Sequence, residues 1–297
     1  MKNNWRGYLR KNKMAYLFLL PALLCLIGTV FIPICMAVKT SFFRDVFLSP
    51  LSQPFVGWDN YLSIFRDNLF WDSFWRSWYW TIGSVVLQFL VGFVAALVLN
   101  QQFVGRGIIR GLLIIPWVVP GTVTASIFSM LFTSTGLVNQ LLIKMGLLDN
   151  FFPWLTNFGT AMPTLLLAHT WRGFPFYMIM MLAALQGIPD ELYESAKIDG
   201  ASALSCFLHI TLPNIKGSIM VSTLLGVIWT YGYLDMIYIM TYGGPYYATY
   251  TQALYVYAKA FVKGDLGMAS AGAVTLVLTM LLFSLLYLRS IRKSDIE

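Results

Sequence analysis

The chain has 297 residues, of which 58% are hydrophobic and only 11% are charged, whereas a soluble domain carries about 25% charged residues. A soluble globule of this length would lack the polar residues to cover its surface, so the composition excludes that class and predicts a membrane protein. Three cysteines and two histidines, His169 and His209, exclude a disulfide scaffold and a multi-histidine metal centre, and with them the enzymes built on such a centre.

Six stretches of 22 or more residues are apolar enough to cross the ~30 Å hydrocarbon core of a bilayer as helices. Four of them contain no charged residue, and two carry a single charge each, at Arg172 and Asp235. The six predicted spans cover residues 14–38, 78–99, 111–132, 161–187, 217–241 and 266–288. The sequence therefore predicts an all-α membrane protein, with a tail at 1–13 and a single transmembrane domain at 14–297.

The first span follows five basic residues, a pattern that also occurs in secretory signal peptides. Its 25 residues exceed the 7–15 of a cleaved hydrophobic region, and no cleavage site follows, so we predict a retained helix. Prolines inside the spans are predicted kinks, because proline has no backbone N–H to donate within a helix. These prolines are Pro21, Pro33, Pro116 and Pro120.

Lysine and arginine residues are unevenly distributed between the two sides of this six-span arrangement. Twelve lie on the side of the N-terminus and seven in the loops of the other side. Basic residues concentrate on the cytoplasmic side of membrane proteins, so both termini are predicted to be cytoplasmic. The net charge of +7 then faces anionic lipid head groups and requires no nucleic-acid partner. Cys25, Cys35 and Cys206 are predicted to be unpaired.

Two long loops fall on the outer side. Residues 39–76 are rich in aromatic side chains, which either anchor the chain at the membrane boundary or form a small folded cap that an extracellular partner contacts. Residues 133–160 are predicted to contain a short interfacial helix.

The cytoplasmic loop at 188–213, called the coupling loop below, has the signals of two short helices. Pro189 opens the first helix and Gly200 can end it in the left-handed conformation. Ser202 can cap a second helix that stops before Pro213. Two apolar or small faces remain on these helices, Leu192 with Ser195 and Ala196, and Leu204 with Phe207 and Leu208. We predict that they bind a groove on a cytoplasmic partner.

The coupling loop resembles the EAA loop of binding-protein-dependent ATP-binding-cassette (ABC) importers. The matching residues are Glu194-Ser-Ala196, Gly200 and Ile210-x-Leu212-Pro213, and Ser195 departs from the family's alanine. Four further motifs resemble the carbohydrate-importer branch in the same order, Phe55-Val-Gly-Trp-Asp-Asn-Tyr61, Trp171-Arg-Gly-Phe-Pro-Phe176, Ala183-Ala-Leu-Gln-Gly-Ile-Pro189 and Thr241-Tyr-Gly-Gly-Pro245. The resemblance covers essentially the whole chain and favours the first permease subunit of sugar systems, with a type I importer fold.

The resemblance implies a transport subunit without catalytic residues, metal or cofactor of its own. Its implied partners are a second homologous permease subunit, two cytoplasmic ATPase subunits that bind ATP and Mg²⁺, and an extracytoplasmic solute-binding protein that delivers a sugar or oligosaccharide. The implied location is the cytoplasmic membrane of a bacterium or archaeon. No phosphate-binding loop occurs in the chain, which agrees with a separate ATPase. The implied ATPase-coupling residues are Glu194, Ala196, Gly200, Ala201, Leu204 and Phe207.

Two stripes of polar, aromatic and small residues lie near the middle of the fourth and fifth spans. They are His169, Arg172, Gly173 and Phe176, and Gly226, Trp229, Thr230 and Tyr233, each at i, i+3, i+4 and i+7. Sugar recognition combines aromatic faces with hydrogen-bonding groups, so we predict that both stripes line the substrate path. The resemblance places the same eight positions where sugar permeases of the family line their sugar site. The structural alternative is that the glycines and aromatics pack helices, and that Arg172 pairs with a carbonyl or with Asp235.

Other polar points in the spans are Gln88, Asn100 and Asp235, and the last is predicted as a structural or gate residue. Arg172 leaves open an anionic solute, such as a glycerol phosphate or a uronate oligomer, although a basic residue here is common in the family. An ion-coupled secondary transporter would need acids at mid-membrane, where Asp235 stands alone. An intramembrane enzyme would need a base such as His169 beside a nucleophile, and no motif supports one.

Overall fold

The computed structural model describes residues 13–46 and 53–294, so the predicted tail at 1–13 lies outside it except for Lys13. The described residues form helices and no β-strand, with two isolated bridges at Phe43–Phe55 and Val46–Asp265. The described residues divide into two compact units, one within the ranges 13–66 and 256–275 and the other within 67–255 and 276–294. The prediction of an all-α protein is confirmed for this part of the chain.

The first unit begins with helix α1 (Lys13–Leu26), which leads through a π-helical turn (Ile27–Phe31) into α2 (Ile32–Thr40). Pro33 stands in the first turn of α2, directly after the widened turn that accommodates its missing N–H. Every described side chain from Met14 to Met36 is exposed, as expected of a helix that faces lipid or another subunit.

The described part of the 39–66 segment folds on itself. Helix α3 (Asp59–Arg66) is held by Asn60, whose Nδ2 donates to the carbonyls of Ser41 at 2.8 Å and Phe43 at 2.9 Å. The Ser41 and Tyr61 hydroxyls form a hydrogen bond of 2.7 Å. A small cap therefore forms here, although Phe55 and Trp58 remain exposed as interfacial anchors would be.

Helix α4 (Asn68–Asn100) starts ten residues before the predicted second span of 78–99. The side chain of Asp67 caps it by accepting a hydrogen bond of 3.0 Å from the backbone N–H of Leu69. The prediction that residues up to 76 form a loop is therefore wrong, since the Asp67 cap lets the aromatic stretch enter the helix.

The third predicted span of 111–132 consists of two helices, α5 (Arg106–Val118) and α6 (Gly121–Leu131), bent by 92° relative to each other. The predicted kink at Pro120 is confirmed. Pro120 disfavours the helical conformation of the residue before it, and Val119 accordingly has extended backbone angles of φ −66° and ψ 130°.

Helix α7 (Leu137–Lys144) confirms the short helix predicted in residues 133–160. Helix α8 (Ala161–Gln186) agrees with the predicted fourth span of 161–187 and packs along α4. Gly92 permits this packing, because a Cβ there would lie 2.6 Å from the backbone carbonyl of Phe174. Ala96, Leu99, Met178 and Met181 belong to the core between the two helices.

The coupling loop contains α9 (Asp190–Ile198) and α10 (Ala203–Cys206). The prediction that the second helix stops before Pro213 is wrong, because α10 continues through a π-helical turn (Phe207–Thr211) into α11 (Leu212–Tyr231). The Leu212 N–H bonds to the Phe207 carbonyl, and this wider turn relieves the clash that a proline causes in an α-helix.

The fifth predicted span of 217–241 is likewise not one helix, because α11 ends at Tyr231 and α12 (Asp235–Met240) follows a three-residue break. Helix α13 (Gln252–Tyr257) leads through a π-helical turn (Ala258–Val262) to α14 (Leu266–Ser294), which starts where the last span was predicted. Four helices of the described residues are long and apolar enough to cross a membrane, or five if the bent α5–α6 pair is one span. Helix α8 is not among them.

Candidate functional site

A cavity of 260 Å³, called the central cavity below, lies between α4, α5, α8 and α11. All eight residues of the two predicted stripes line it, so the structure brings the fourth and fifth spans together at this place. Its lining consists of Gln88, Trp117, His169, Arg172, Gly173, Phe176, Tyr177, Gly226, Trp229, Thr230 and Tyr233.

One wall of the central cavity is aromatic. The Phe176 ring lies 5.1 Å from Trp229 and 6.3 Å from Trp117, measured between ring centroids. Trp229 is 55% exposed although it stands in a hydrophobic helix, so its ring is available to a ligand or to another subunit. Such a wall offers flat apolar surface to the C–H face of a sugar ring.

Other lining residues belong to a stack of rings that begins at Trp80 of α4, which itself does not line the cavity. His169 stacks on Trp80 with centroids 4.6 Å apart and lies 5.0 Å from Tyr233 on its other side. The Arg172 guanidinium carbon stands 5.7 Å from the Tyr233 centroid, close enough for a cation–π contact. Arg172 therefore contacts Tyr233 through the face of its ring, and the two side chains do not use their hydrogen-bonding groups for this contact.

Three polar atoms of the central cavity are buried and have no hydrogen-bond partner within the described structure, Arg172 Nε, Tyr177 Oη and Tyr233 Oη. Buried polar atoms are nearly always paired in proteins, so a partner for these three must come from outside the described residues. The predicted alternative of an Arg172–Asp235 ion pair is wrong. Arg172 and Asp235 form no ion pair with each other within the described residues, and Asp235 is exposed at the start of α12.

Two glycines allow polar side chains to approach the backbone of the stripes. A Cβ at Gly173 would overlap the amide of Gln88, and a Cβ at Gly226 would overlap the hydroxyl of Tyr177. Gln88 Nε2 lies 2.9 Å from His169 Nδ1 and donates to the His169 carbonyl at 3.0 Å. The glycines therefore admit the polar groups and do not simply bring helices together.

The histidine of the central cavity, His169, is held by polar side chains. His169 Nδ1 contacts Gln88 and the hydroxyl of Ser84, and no carboxylate lines the cavity. No cluster of three or more potential metal ligands occurs among residues 13–46 and 53–294.

Three lining residues were not predicted for the substrate path. Gln88 was recognisable as a rare polar residue in the second span. The sequence does not show, however, that it lies beside the two stripes. Trp117 reaches the cavity because α5 ends beside it, and Tyr177 directly follows the stripe residue Phe176.

The coupling loop has the conformation that its sequence predicts up to the end of α9. Gly200 has φ +78°, and the backbone N–H groups of Gly200 and Ala201 donate to the carbonyls of Lys197 at 3.1 Å and Ala196 at 2.9 Å. These two backbone hydrogen bonds form a Schellman cap at the end of α9. Ser202 caps the next helix by accepting a hydrogen bond from the Ser205 N–H at 3.2 Å.

None of the six predicted coupling residues is buried in this chain. Glu194, Gly200 and Leu204 are exposed, whereas the other three are half-buried. Phe207 also packs against Phe93 of α4, with the two ring centroids 6.1 Å apart. The Tyr193 and Thr211 hydroxyls, 2.9 Å apart, tie α9 to the helix that follows. The coupling loop is thus held by this hydrogen bond, and its motif residues are accessible on the surface of the chain. Their contact with an ATPase stays a prediction.

The fold is similar to that of known permeases. A crystallised bacterial ABC transporter involved in the import of the acidic polysaccharide alginate contains a chain that superposes with a TM-score of 0.84 at 21% identity, covering 97% of this chain and 98% of that one. The same transporter, crystallised in complex with an alginate pentasaccharide-bound periplasmic protein, gives a TM-score of 0.81 at 21% identity, covering 96% of each chain. At this identity the likeness establishes the type I importer fold and nothing finer.

Sequence relatives are more similar. The trehalose/maltose transport system permease protein MalF of Thermococcus litoralis is 35% identical, over 97% of this chain and 98% of its own length. The sulfoquinovosyl glycerol transport system permease protein SmoG of Agrobacterium fabrum is 34% identical, over 95% of this chain and 91% of its own length. The model of the family described as binding-protein-dependent transport system inner membrane component matches residues 88–295. With a fold, a family model and full-length relatives in agreement, the chain belongs to this family of multi-pass inner-membrane transport components.

Proposed function

We propose that the chain is the first permease subunit of an ABC importer that moves a sugar or oligosaccharide through the central cavity. The observation that carries this proposal is the meeting of an aromatic wall with three unpartnered polar atoms, which is the chemistry of a saccharide site. Relatives named for trehalose/maltose and sulfoquinovosyl glycerol transport support a saccharide.

The proposed topology has six spans with both termini in the cytoplasm. Six spans result when α5 and α6 form one broken span and α8 forms another. Helix α8 has 26 residues, about 39 Å at 1.5 Å per residue, which is enough to cross the bilayer. Its His169 and Arg172 line the cavity, so their polarity need not face lipid. The excess of basic residues on the side of the coupling loop supports the orientation.

The proposed assembly contains a second permease subunit, two ATPase subunits that hold ATP and Mg²⁺, and an extracytoplasmic solute-binding protein. The continuous helix Ala203–Tyr231 supports a mechanical link between them. It begins in the coupling loop and carries Gly226, Trp229 and Thr230 to the cavity, about 40 Å away along its axis. A displacement of the coupling loop by the ATPase would therefore reach the cavity through one helix, as alternating access requires.

An acidic saccharide is a second candidate substrate. The unpartnered Nε of Arg172 and the lack of a carboxylate in the cavity lining favour it. Both the alginate importer and the sulfoquinovosyl glycerol system are named for anionic cargo.

Uptake into proteoliposomes tests the proposed function. The chain, its companion permease and the ATPase are reconstituted, and the binding protein is supplied with neutral and acidic oligosaccharides in turn. We expect ATP-dependent accumulation of one class. Uptake that follows an imposed proton or Na⁺ gradient without ATP would instead identify a secondary transporter.

Replacing Trp229 by alanine is expected to lower ATP-dependent uptake about two- to tenfold, because an aromatic contact is worth about 0.5–1.5 kcal/mol. Trp75→Ala is the matched control, since Trp75 is also exposed on a long helix but does not line the cavity. Both variants should assemble with the ATPase. Equal uptake by the two variants and the wild type would remove Trp229 from the substrate path.

A further inference from the structure

A second cavity, called the polar pocket below, has a volume of 230 Å³ and lies where the ends of three helices meet the coupling loop. Six polar residues line it, Asn100, Gln102, Arg106, Gln186, Asp190 and Tyr193. The two apolar residues of the lining, Leu185 and Ile188, are buried. The surface that the pocket offers to solvent therefore consists mainly of polar side chains.

The polar pocket joins the long helices to the coupling loop. Asn100 is the last residue of α4, Arg106 is the first residue of α5, and Gln186 is the last residue of α8. Asp190 and Tyr193 are among the first four residues of α9. A ligand in the pocket would therefore contact both the coupling loop and the helices that line the central cavity.

Five of the six polar side chains of the pocket form no hydrogen bond or ion pair within the described residues. Arg106 and Asp190 line the same pocket without pairing with each other. The exception is Tyr193, whose hydroxyl shares a hydrogen bond of 2.9 Å with that of Thr211. The other five residues are exposed or half-buried, so their hydrogen-bonding groups are available to a ligand that enters from solvent.

The lining is suited to a hydroxylated ligand. Three of these five side chains are carboxamides, each of which carries a donor and an acceptor side by side and can bind two neighbouring hydroxyl groups. Asp190 can accept a hydrogen bond from a hydroxyl and Arg106 can donate one, whereas Asp190 repels a phosphate and Arg106 repels a cation. The pocket is slightly smaller than the central cavity and has room for one sugar ring.

We infer that the polar pocket binds a ring of the imported saccharide from the cytoplasmic side, and that this binding slows further import. The inference rests on the proposed function, which supplies both the orientation and the saccharide. Imported saccharide accumulates on the side of the coupling loop, where the pocket is accessible from solvent. A bound ring would hold α9 against the ends of α4 and α8, and it would restrain the loop on which the ATPase is proposed to act.

The test measures initial uptake of radiolabelled saccharide by the complete transporter in vesicles that enclose ATP and increasing amounts of the same saccharide without label. Gln102→Leu removes a carboxamide from the pocket, and Gln101→Leu is the matched control, because Gln101 is equally exposed but does not line the pocket. We expect the enclosed concentration that halves uptake to rise about two- to tenfold in Gln102→Leu and to keep its wild-type value in Gln101→Leu. Both variants should match the wild-type rate in vesicles that enclose ATP alone.

Cysteine labelling provides a second readout, which reports on the pocket itself. In a transporter whose Cys25, Cys35 and Cys206 are replaced by serine, Gln186→Cys places a thiol in the lining and Gln101→Cys places one outside it. An excess of the saccharide should slow the reaction of a maleimide with the first thiol and leave the second unchanged.

Equal inhibition of Gln102→Leu and Gln101→Leu by enclosed saccharide would assign the effect of the product to the central cavity. That result, or labelling of Gln186→Cys that the saccharide does not slow, would overturn the site in the polar pocket and leave the proposed function intact. A wild-type transporter without ATP-dependent uptake into vesicles that enclose ATP alone would overturn both.

Discussion

Glu194→Lys is expected to abolish ATP-driven uptake while the chain still folds and inserts into the membrane. Glu194 is exposed on α9, and it forms no ion pair within the described residues, so its replacement removes no intramolecular contact. Exposed substitutions of this kind change stability by at most about 0.5 kcal/mol. At a docking surface, however, reversing a charge costs about 3 kcal/mol or more, which corresponds to a loss of affinity of about a hundredfold or more. The measurement is the amount of ATPase that copurifies with the permease, followed by uptake in proteoliposomes.

Glu191→Lys is the control for this prediction. It makes the same charge change on the same exposed helix, three residues earlier, but outside the EAA motif. We expect it to retain ATPase binding and most of the uptake. Normal coupled uptake by Glu194→Lys would show that the motif residue does not dock the ATPase, and equal losses in both variants would point to general electrostatics.

The helical elements were largely predictable because a bilayer imposes one simple rule, a long uncharged stretch for each span. That rule found α8 to within a residue at each end, although its polar stripe lowers its hydropathy. It could not find the start of α4, because the Asp67 cap lies within an aromatic segment that resembles an interfacial loop. A hydropathy pattern indicates burial in lipid, and it contains no information on the side chain that caps the start of a helix.

Helix breaks were only partly predictable. Proline residues mark positions where a helix can bend, and Pro120 does mark the bend between α5 and α6. The break after Tyr231 has no proline, so the sequence gives no such signal there. Pro213 gives the opposite error, because it predicts a helix end that does not occur. A π-helical turn accommodates the proline, and the helix continues. Whether a proline bends, ends or only widens a helix depends on the turn that precedes it.

The sequence predicts the two stripes that line the central cavity, but not the residues that other helices contribute to it. Spacing along one helix shows which residues share a face, so His169 and Arg172 could be grouped, as could Trp229 and Tyr233. The partners across the cavity, such as Gln88, depend on how α4 packs on α8. That packing depends on the glycines, since Gly173 makes room for the Gln88 amide.

Gly226→Ala is expected to lower uptake strongly, by about tenfold or more, although it adds a single methyl group. The new Cβ would overlap the hydroxyl of Tyr177, which is 1% exposed and packed in a core with Val85, Val227 and Met280. Tyr177 therefore has little room to move, and overpacking of this kind costs about 1–3 kcal/mol. We expect either the cavity wall or the crossing of α8 and α11 to shift. Uptake and the thermal unfolding midpoint of the detergent-solubilised complex measure the two consequences.

Two further variants separate a specific clash from a general effect on the helix. Gly217→Ala lies on the same helix, and no atom lies within 4 Å of its added Cβ, so it should behave like the wild type. Tyr177→Phe removes the hydroxyl that the Gly226→Ala methyl group would meet but keeps the ring Cζ, 2.9 Å from the added Cβ, so it should restore most of the unfolding midpoint that Gly226→Ala loses. If the thermal defect of Gly226→Ala persists in the Tyr177→Phe background, the hydroxyl is not its cause. If the midpoint recovers and uptake does not, the Tyr177 hydroxyl is needed at the cavity itself, as its lack of an intramolecular partner suggests.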